Sequence, residues 1–170
     1  GRAFPDTYTR STPAERAVRD ILLLDHLTGR KNVLADVFLD GEALYLRLYQ
    51  ARDVFLTDIL PVLDNFGLVV KESWATEVRS RGGRLFIDTF VLDPTAEITR
   101  ECLVERKDLL KNAVEAVFSG AVEDDALNQL VLTSGLTWEE TDIIRGFTEY
   151  SRQLTVKLSA NRLIEILLKN

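Results

Sequence analysis

VLADVFLDGEALYLRLY, residues 33–49, decides the fold. Val33–Leu39 and Ala43–Tyr49 are rich in strand-forming side chains, and Asp40-Gly41 between them is a strong hairpin turn signal. In the second strand Leu44, Leu46 and Leu48 fall on one face, and Tyr45, Arg47 and Tyr49 on the other. Working outward, Phe55–Gly67 carries Leu56, Ile59, Leu60 and Leu63 at helical spacing. Pro61 is compatible with that helix only in its first turn, so the pattern predicts a short helix over 58–66 with Thr57 or Asp58 as cap. Residues 68–79 return to strand, with Leu68, Val70 and Trp74 expected on one face. Arg81-Gly82-Gly83 turns the chain into a partner strand at 84–92. Asp93-Pro94 is expected to open a long helix over 95–119, ending at Gly120.

Residues 43–119 thus read β-α-β-β-α, one strand short of a split βαβ sheet. Strand 33–39 fills the vacant slot. The expected fold is α+β: a ferredoxin-like antiparallel four-stranded sheet in the order 33–39, 43–49, 84–92, 68–79, with an all-helical extension after it. The extension starts with a short helix from Asp125 to Thr133, stopped at Gly135. Thr137-Trp138-Glu139-Glu140 is a capping box for a helix to about Leu154, and Ser159 is the expected cap of a last helix through Leu168. Trp138 is either a buried anchor or a contact for a neighbour, and Ile144, Phe147 and Leu154 are expected to face a core or a partner. Upstream, Thr12-Pro13-Ala14-Glu15 reads as another capping box, followed by Ala17, Ile21, Leu24 and Leu27 at helical spacing and Gly29 as the stop. The expected division is an N-terminal helix at 1–30, an αβ domain at 31–120 and a helical segment at 121–170. Strand 84–92 is apolar on both faces, so helix 12–28 or the C-terminal helices should cover the second one. Docking of another domain there is the alternative.

Composition excludes several functions. The 170 residues hold 21 basic and 27 acidic side chains, a net charge of −6. Residues 1–94 carry 12 basic against 14 acidic side chains and residues 95–170 carry 9 against 13, so neither half is basic and nucleic acid is not an expected partner. Aromatic residues on such a sheet suit an RNA platform, but the basic-aromatic run of that platform is missing. No apolar run reaches the ~20 residues of a membrane span. Cys102 is the one cysteine and His26 the one histidine, which removes an internal disulfide and a His/Cys zinc cluster within this chain and fits a reducing cytoplasm. No Gly-rich phosphate cradle occurs, and no catalytic, cofactor-binding or metal-ligating residue is assigned. Asp124-Asp125 and Glu139-Glu140 read as acids favoured at helix N-termini rather than as general acid/base pairs. The chain contains no Met and opens on Gly1-Arg2, from which we expect a piece of a longer protein.

Specific strings then carry a resemblance. YLRLYQARDVFLTDILPVLDNFGLVV (45–70), IDTFVL (87–92) and EDDALNQLVLTSGLTWEETDIIRGFTEYSRQ (123–153) resemble the regulatory region of the large bacterial-type NAD-specific glutamate dehydrogenases. The 123–153 string is the strongest, through Asn128 to Leu132, Gly135 to Trp138 and Tyr150 to Gln153; FPDTY (4–8) is consistent with it. The resemblance implies an ACT-like domain followed by a helical segment leading toward a catalytic region elsewhere in the parent chain. It implies NAD as cofactor of the parent enzyme only. It also implies other domains of that chain as partners, a homo-oligomeric full enzyme and a cytoplasmic location. ACT domains commonly bind amino acids where a strand meets the following helix, here Gln50 to Leu56. In that loop Arg52 suits a carboxylate and Asp53 an amine, although the glycine that lets a ligand approach backbone is absent. Solvated loop charges are the favoured reading of both. The role expected is a non-catalytic structural and regulatory piece of such a dehydrogenase. A free-standing amino-acid sensor of the ACT type and a general interaction module are the alternatives.

Overall fold

The computed structural model describes residues 3–27, 33–80 and 82–153. Gly29, Arg81, Leu154 and the helix expected from Ser159 to Leu168 lie outside the described residues. Two helices come first, α1 (Asp6–Ser11) and α2 (Ala14–His26). Then follow β1 (Val33–Asp40), β2 (Ala43–Gln50), α3 (Leu56–Asn65), β3 (Val69–Ser80) and β4 (Gly83–Asp93). After the sheet come α4 (Arg100–Glu105), α5 (Lys107–Phe118), a 3-10 turn (Ala126–Gln129), α6 (Leu130–Thr133) and α7 (Trp138–Gln153).

The sheet is antiparallel in the order β1-β2-β4-β3, as the strand count from the sequence requires. Asp40 pairs with Ala43 across the hairpin turn, where Gly41 adopts φ 59°. Leu44, Leu46 and Leu48 point into the larger core with Ile59, Leu63, Phe66, Phe90, Leu110 and Val114, under α3, α4 and α5. Val131 and Leu132 of the helical segment belong to the same core. On the edge strand β1, the Ala35 N–H donates to Glu115 Oε1 at 3.0 Å, so α5 occupies a backbone donor that would otherwise invite a foreign strand.

The opposite face is covered by the N-terminal helices. Tyr8, Leu24 and Leu27 pack with Leu34, Tyr49, Val78 and Ile87. The stripe of α2 that meets the sheet is Arg16, Asp20, Leu24 and Leu27, and Ile21, expected inside, is 50% exposed. The cause is the sheet itself: Arg47 and the Tyr49 hydroxyl face the helix and need an anion, so the helix presents Asp20 to them.

Four local expectations are corrected. Thr12 makes no cap for α2; it closes α1 through its N–H on the Tyr8 carbonyl at 3.0 Å, and extended Pro13 itself is the N-cap. Helix α3 starts at Leu56 with Phe55 as N-cap, so Pro61 sits in the second turn, where the carbonyl it cannot bond belongs to solvent-exposed Thr57. In β3 Val70 pairs with Leu92 but Glu72 with Val91, leaving Lys71 as a bulge. One extra residue flips every later side chain. Val70 therefore packs on the larger core, while Trp74 joins Tyr45 on the other face. Finally, Asp93 ends β4 and Pro94 does not open a helix. Thr95 accepts from the Ile98 N–H at 2.9 Å and Thr99 from the Cys102 N–H at 3.3 Å, and these local bonds hold off the helix until Arg100. It breaks again at Arg106, whose guanidinium reaches over to the Leu132 carbonyl.

Candidate functional site

The loop singled out by the sequence leaves β2 at Gln50 and enters α3 at Leu56. Arg52 and Asp53 are both exposed there. The buried chemistry of this end of the sheet belongs to two residues the sequence reading passed over. Gln50 is 1% exposed and its Nε2 donates to Asp88 Oδ2 at 2.7 Å, while its Oε1 has no partner. Burial, with the Asp53 charge adding to it, pushes the Asp88 carboxyl above its ordinary 3.8, and the Gln50 bond opposes this only in part. Both sit at pairing positions of β2 and β4, where alternation alone gives a polar residue no partner.

The native state holds the Asp88 proton more tightly than the unfolded chain, so stability falls as pH rises from 3.8 through the folded value. Asp88→Asn removes this titration, keeps an acceptor for Gln50 Nε2 and offers an N–H to the unpartnered Gln50 Oε1. The expected result is a variant at least as stable as the parent at pH 7, with a flatter stability profile on the acid side. Urea titrations at stepped pH read it; a loss of more than ~1 kcal/mol at pH 7 contradicts it.

A second polar cluster lies under α2. Asp20 is fully buried and accepts from the Tyr8 hydroxyl at 2.5 Å, the Tyr49 hydroxyl at 2.6 Å and Arg16 Nε at 2.9 Å. Arg47 Nη1 completes its shell. Burial, then the Asp20 carboxylate, pushes both tyrosine hydroxyls well above their ordinary range, which keeps them as donors. Arg16 also pairs with Asp36 at 2.8 Å and stacks over Phe38 at 3.7 Å. The sequence signal was present: Asp20 falls on the stripe of Leu24 and Leu27, and a carboxylate on an apolar stripe demands a cation opposite.

In the helical segment, Asp125 caps the 3-10 turn by accepting from the Leu127 N–H at 3.0 Å. Arg145 of α7, 6% exposed, grips it bidentately at 2.7 and 3.0 Å and also holds Asn128 at 3.0 Å and Asp142 at 2.7 Å. Asp124 bonds Asn65 and Asn128, so the acid pair is spent on structure. The expected capping box is present, with Glu140 N–H on Thr137 Oγ1 at 3.2 Å and Thr137 N–H on Glu140 Oε2 at 2.8 Å. Trp138 is half-buried against the larger core. Phe147, expected to face a core or partner, is 67% exposed, because Thr141, Arg145 and Thr148 take the buried side of α7. Cys102 packs on the core with its thiol on the Leu132 carbonyl, and His26 Nδ1 lies 2.6 Å from the Leu22 carbonyl near the end of α2. Among the described residues no group of three or more His, Cys, Asp or Glu side chains is placed to hold a metal ion. No helix among them is long and apolar enough to cross a membrane.

Comparison with known proteins matches this architecture. Residues 35–103 match the family model of the glutamate dehydrogenase ACT3 domain, and residues 122–170 that of glutamate dehydrogenase helical motif 3. The chain is 30% identical over 159 residues to an NAD-specific glutamate dehydrogenase of Pseudomonas aeruginosa, an alignment covering 90% of this chain and 10% of the relative. It is 30% identical over 158 residues to that of Mycobacterium tuberculosis (89% and 10%) and 25% identical over 162 residues to that of Halomonas elongata (92% and 10%). The chain therefore spans about a tenth of the length of these curated relatives. An antiparallel sheet over the ACT3 match, helices over the helical-motif match and similarity along nine-tenths of its length converge: the chain belongs to the family of the large NAD-specific glutamate dehydrogenases, in the region of their third ACT domain and third helical motif.

Proposed function

We propose that the chain is a non-catalytic structural and regulatory segment of an NAD-specific glutamate dehydrogenase. The parent enzyme converts L-glutamate, NAD and water to 2-oxoglutarate, ammonium and NADH, with NAD bound in another part of the parent chain. The observation that carries this reading is the joint between sheet and helices. Val131, Leu132 and half-buried Trp138 share the core of the sheet, and Arg145 locks α7 to the Asp125 turn. A helical segment fixed in this way transmits the position of the ACT-like domain to whatever follows it.

In this reading residues 1–30 are the N-terminal helical part, 31–120 the ACT-like domain and 121–170 the connecting helices. The surfaces that meet other domains of the parent chain include the apolar outer stripe of α7, where Ile143, Phe147 and Tyr150 are each more than half exposed. The full enzyme is a cytoplasmic homo-oligomer. Arg52 and Asp53 are the residues an amino-acid effector would meet, but their exposure in a loop without glycine supports solvated charges. The test joins two measurements. The isolated chain forms no NADH from glutamate and NAD, and removal of residues 123–168 from the full enzyme impairs its assembly or turnover. NADH formation by the pure chain, or full activity after the deletion, overturns the proposal.

A further inference from the structure

Residues 99–118, TRECLVERKDLLKNAVEAVF, contain neither Gly nor Pro, and nothing local to them stops a helix. Thr99 caps the start of this run, and Ser119 and Gly120 close its end, Gly120 at φ 72°. Yet the helix is interrupted at Arg106, whose φ of −102° and ψ of 14° lie outside helical values. The interruption is narrow. The Arg106 N–H still donates to the Cys102 carbonyl and the Leu110 N–H to the Arg106 carbonyl, both at 2.9 Å. The torsions of one residue therefore separate α4 and α5 from a single helix. Leu103 and Leu110, one on each side of the break, are both buried in the larger core. Two helical turns apart, they share a face of a continuous helix as well, so the core accepts either form.

The cause of the break lies 26 residues further on, at the end of α6. Leu132 is fully buried, and its carbonyl belongs to the last turn of that helix, where carbonyls run out of backbone partners. The N–H four residues on, that of Leu136, turns instead to the Leu130 carbonyl at 3.5 Å. Arg106 Nη1 and the Cys102 thiol, the latter at 3.0 Å, donate to the Leu132 carbonyl in its place. The guanidinium also rests against Gly135. A Cβ on Gly135 would stand 3.3 Å from Arg106 Nε and 3.4 Å from its Cζ, and the φ of 70° there favours glycine too. Arg106 thus reaches from the junction of α4 and α5 into the turn that joins α6 to α7.

We propose that Arg106 is the latch of a two-state helix. Seated on Gly135 and the Leu132 carbonyl, it keeps α4 and α5 as two helices and fastens the end of α6 to them. Withdrawn, it lets residues 100–118 close into one helix and leaves the buried Leu132 carbonyl without its charged donor. The two forms share a core and differ at one residue, which makes the element one that switches between discrete arrangements. The latch deepens the proposed role by naming the part that couples the sheet to the helical segment, and it rests on that role for its meaning in a parent enzyme. It is tested on this chain alone, without turnover, so that latch and role can fail separately.

Arg106→Met removes the donor while keeping helix propensity and an unbranched apolar stem. Gly135→Ala leaves residues 99–118 untouched and fills the seat from the other side. Backbone carbon shifts and amide exchange, both by NMR, read the two variants against the parent chain. In the parent, the shifts at Arg106 mark the break. Either variant should move residues 105–107 to the shifts of a continuous helix. Each should also speed exchange of the Ser134 N–H, which donates to the Leu130 carbonyl at the end of α6, by at least ~10-fold, the loss of about one charged hydrogen bond. Leu46 in β2 and Phe90 in β4 should stay as protected as in the parent, which separates release of the latch from general destabilisation. The decisive result is that of Gly135→Ala, which must straighten a helix it does not belong to. Should that variant fail to fold, Arg106→Met decides alone. A break that persists in the variants, a parent chain already continuous at Arg106, or Ser134 exchange unchanged by Arg106→Met overturns the proposal.

Discussion

Asp20→Ala lowers the unfolding free energy of the chain by about 3–5 kcal/mol, the cost of removing one partner from a buried ion cluster. Asp20 is fully buried and answers four donors at once: Arg16, Arg47 and the hydroxyls of Tyr8 and Tyr49. Without it two arginines and two phenols share a site whose remaining carboxylate, Asp36, reaches only Arg16 and Arg19. The loss falls on the layer formed by α1, α2 and the second sheet face. Hydrogen exchange should therefore show α2 opening while β2 and β4 stay protected. Asp20→Asn keeps the shape, removes the charge and should be intermediate. Urea unfolding of the three proteins measures the series; a change below ~1 kcal/mol for Asp20→Ala would show that the cluster carries little net stability.

Arg145→Ala is the second large effect, about 2–3 kcal/mol, because charge-assisted bonds to Asp125, Asn128 and Asp142 are lost together. Asp125 and Asp142 reach solvent and recover part of the cost by hydration, which sets this effect below that of Asp20. Three consequences should appear together. The 3-10 turn loses the group that holds its cap, α7 loses its grip on that turn, and the Trp138 fluorescence shifts toward that of a solvated indole. Arg145→Lys keeps the charge but not the bidentate fork and should rescue less than half of the loss.

Much of the fold was legible because it rests on local signals. Asp40-Gly41 fixes the hairpin, and the count of strands on either side of it leaves one sheet order. Thr137 and Glu140 announce the start of α7 because a reciprocal cap needs only four consecutive residues. What escaped depends on partners distant in sequence. The bulge at Lys71 is set by how β3 meets β4, and it moved Trp74 to the face opposite that of the alternation. Thr95 and Thr99 outcompeted the Asp93-Pro94 helix start through bonds that a propensity count does not weigh. Helix α1 was missed because six residues give too short a period to read. Asp20, Arg47 and Tyr49 were visible one by one, but their meeting across 27 and 29 residues belongs to the tertiary fold. The strings that identified the family lie in helices and strands with structural roles, so the resemblance gave the architecture.

In the proposed role, the geometry of the sheet–helix joint, and not capture of an amino acid at the β2–α3 loop, is what this segment contributes to a parent enzyme. Turnover of the full-length enzyme, measured for Arg145→Ala beside the Arg52→Ala/Asp53→Ala pair, tests it most directly. Reduced turnover or assembly is expected for Arg145→Ala and an unchanged rate for the loop pair, with the glutamate KM unaltered in both. Normal turnover in Arg145→Ala, together with a rate or effector response abolished by the loop pair, contradicts it.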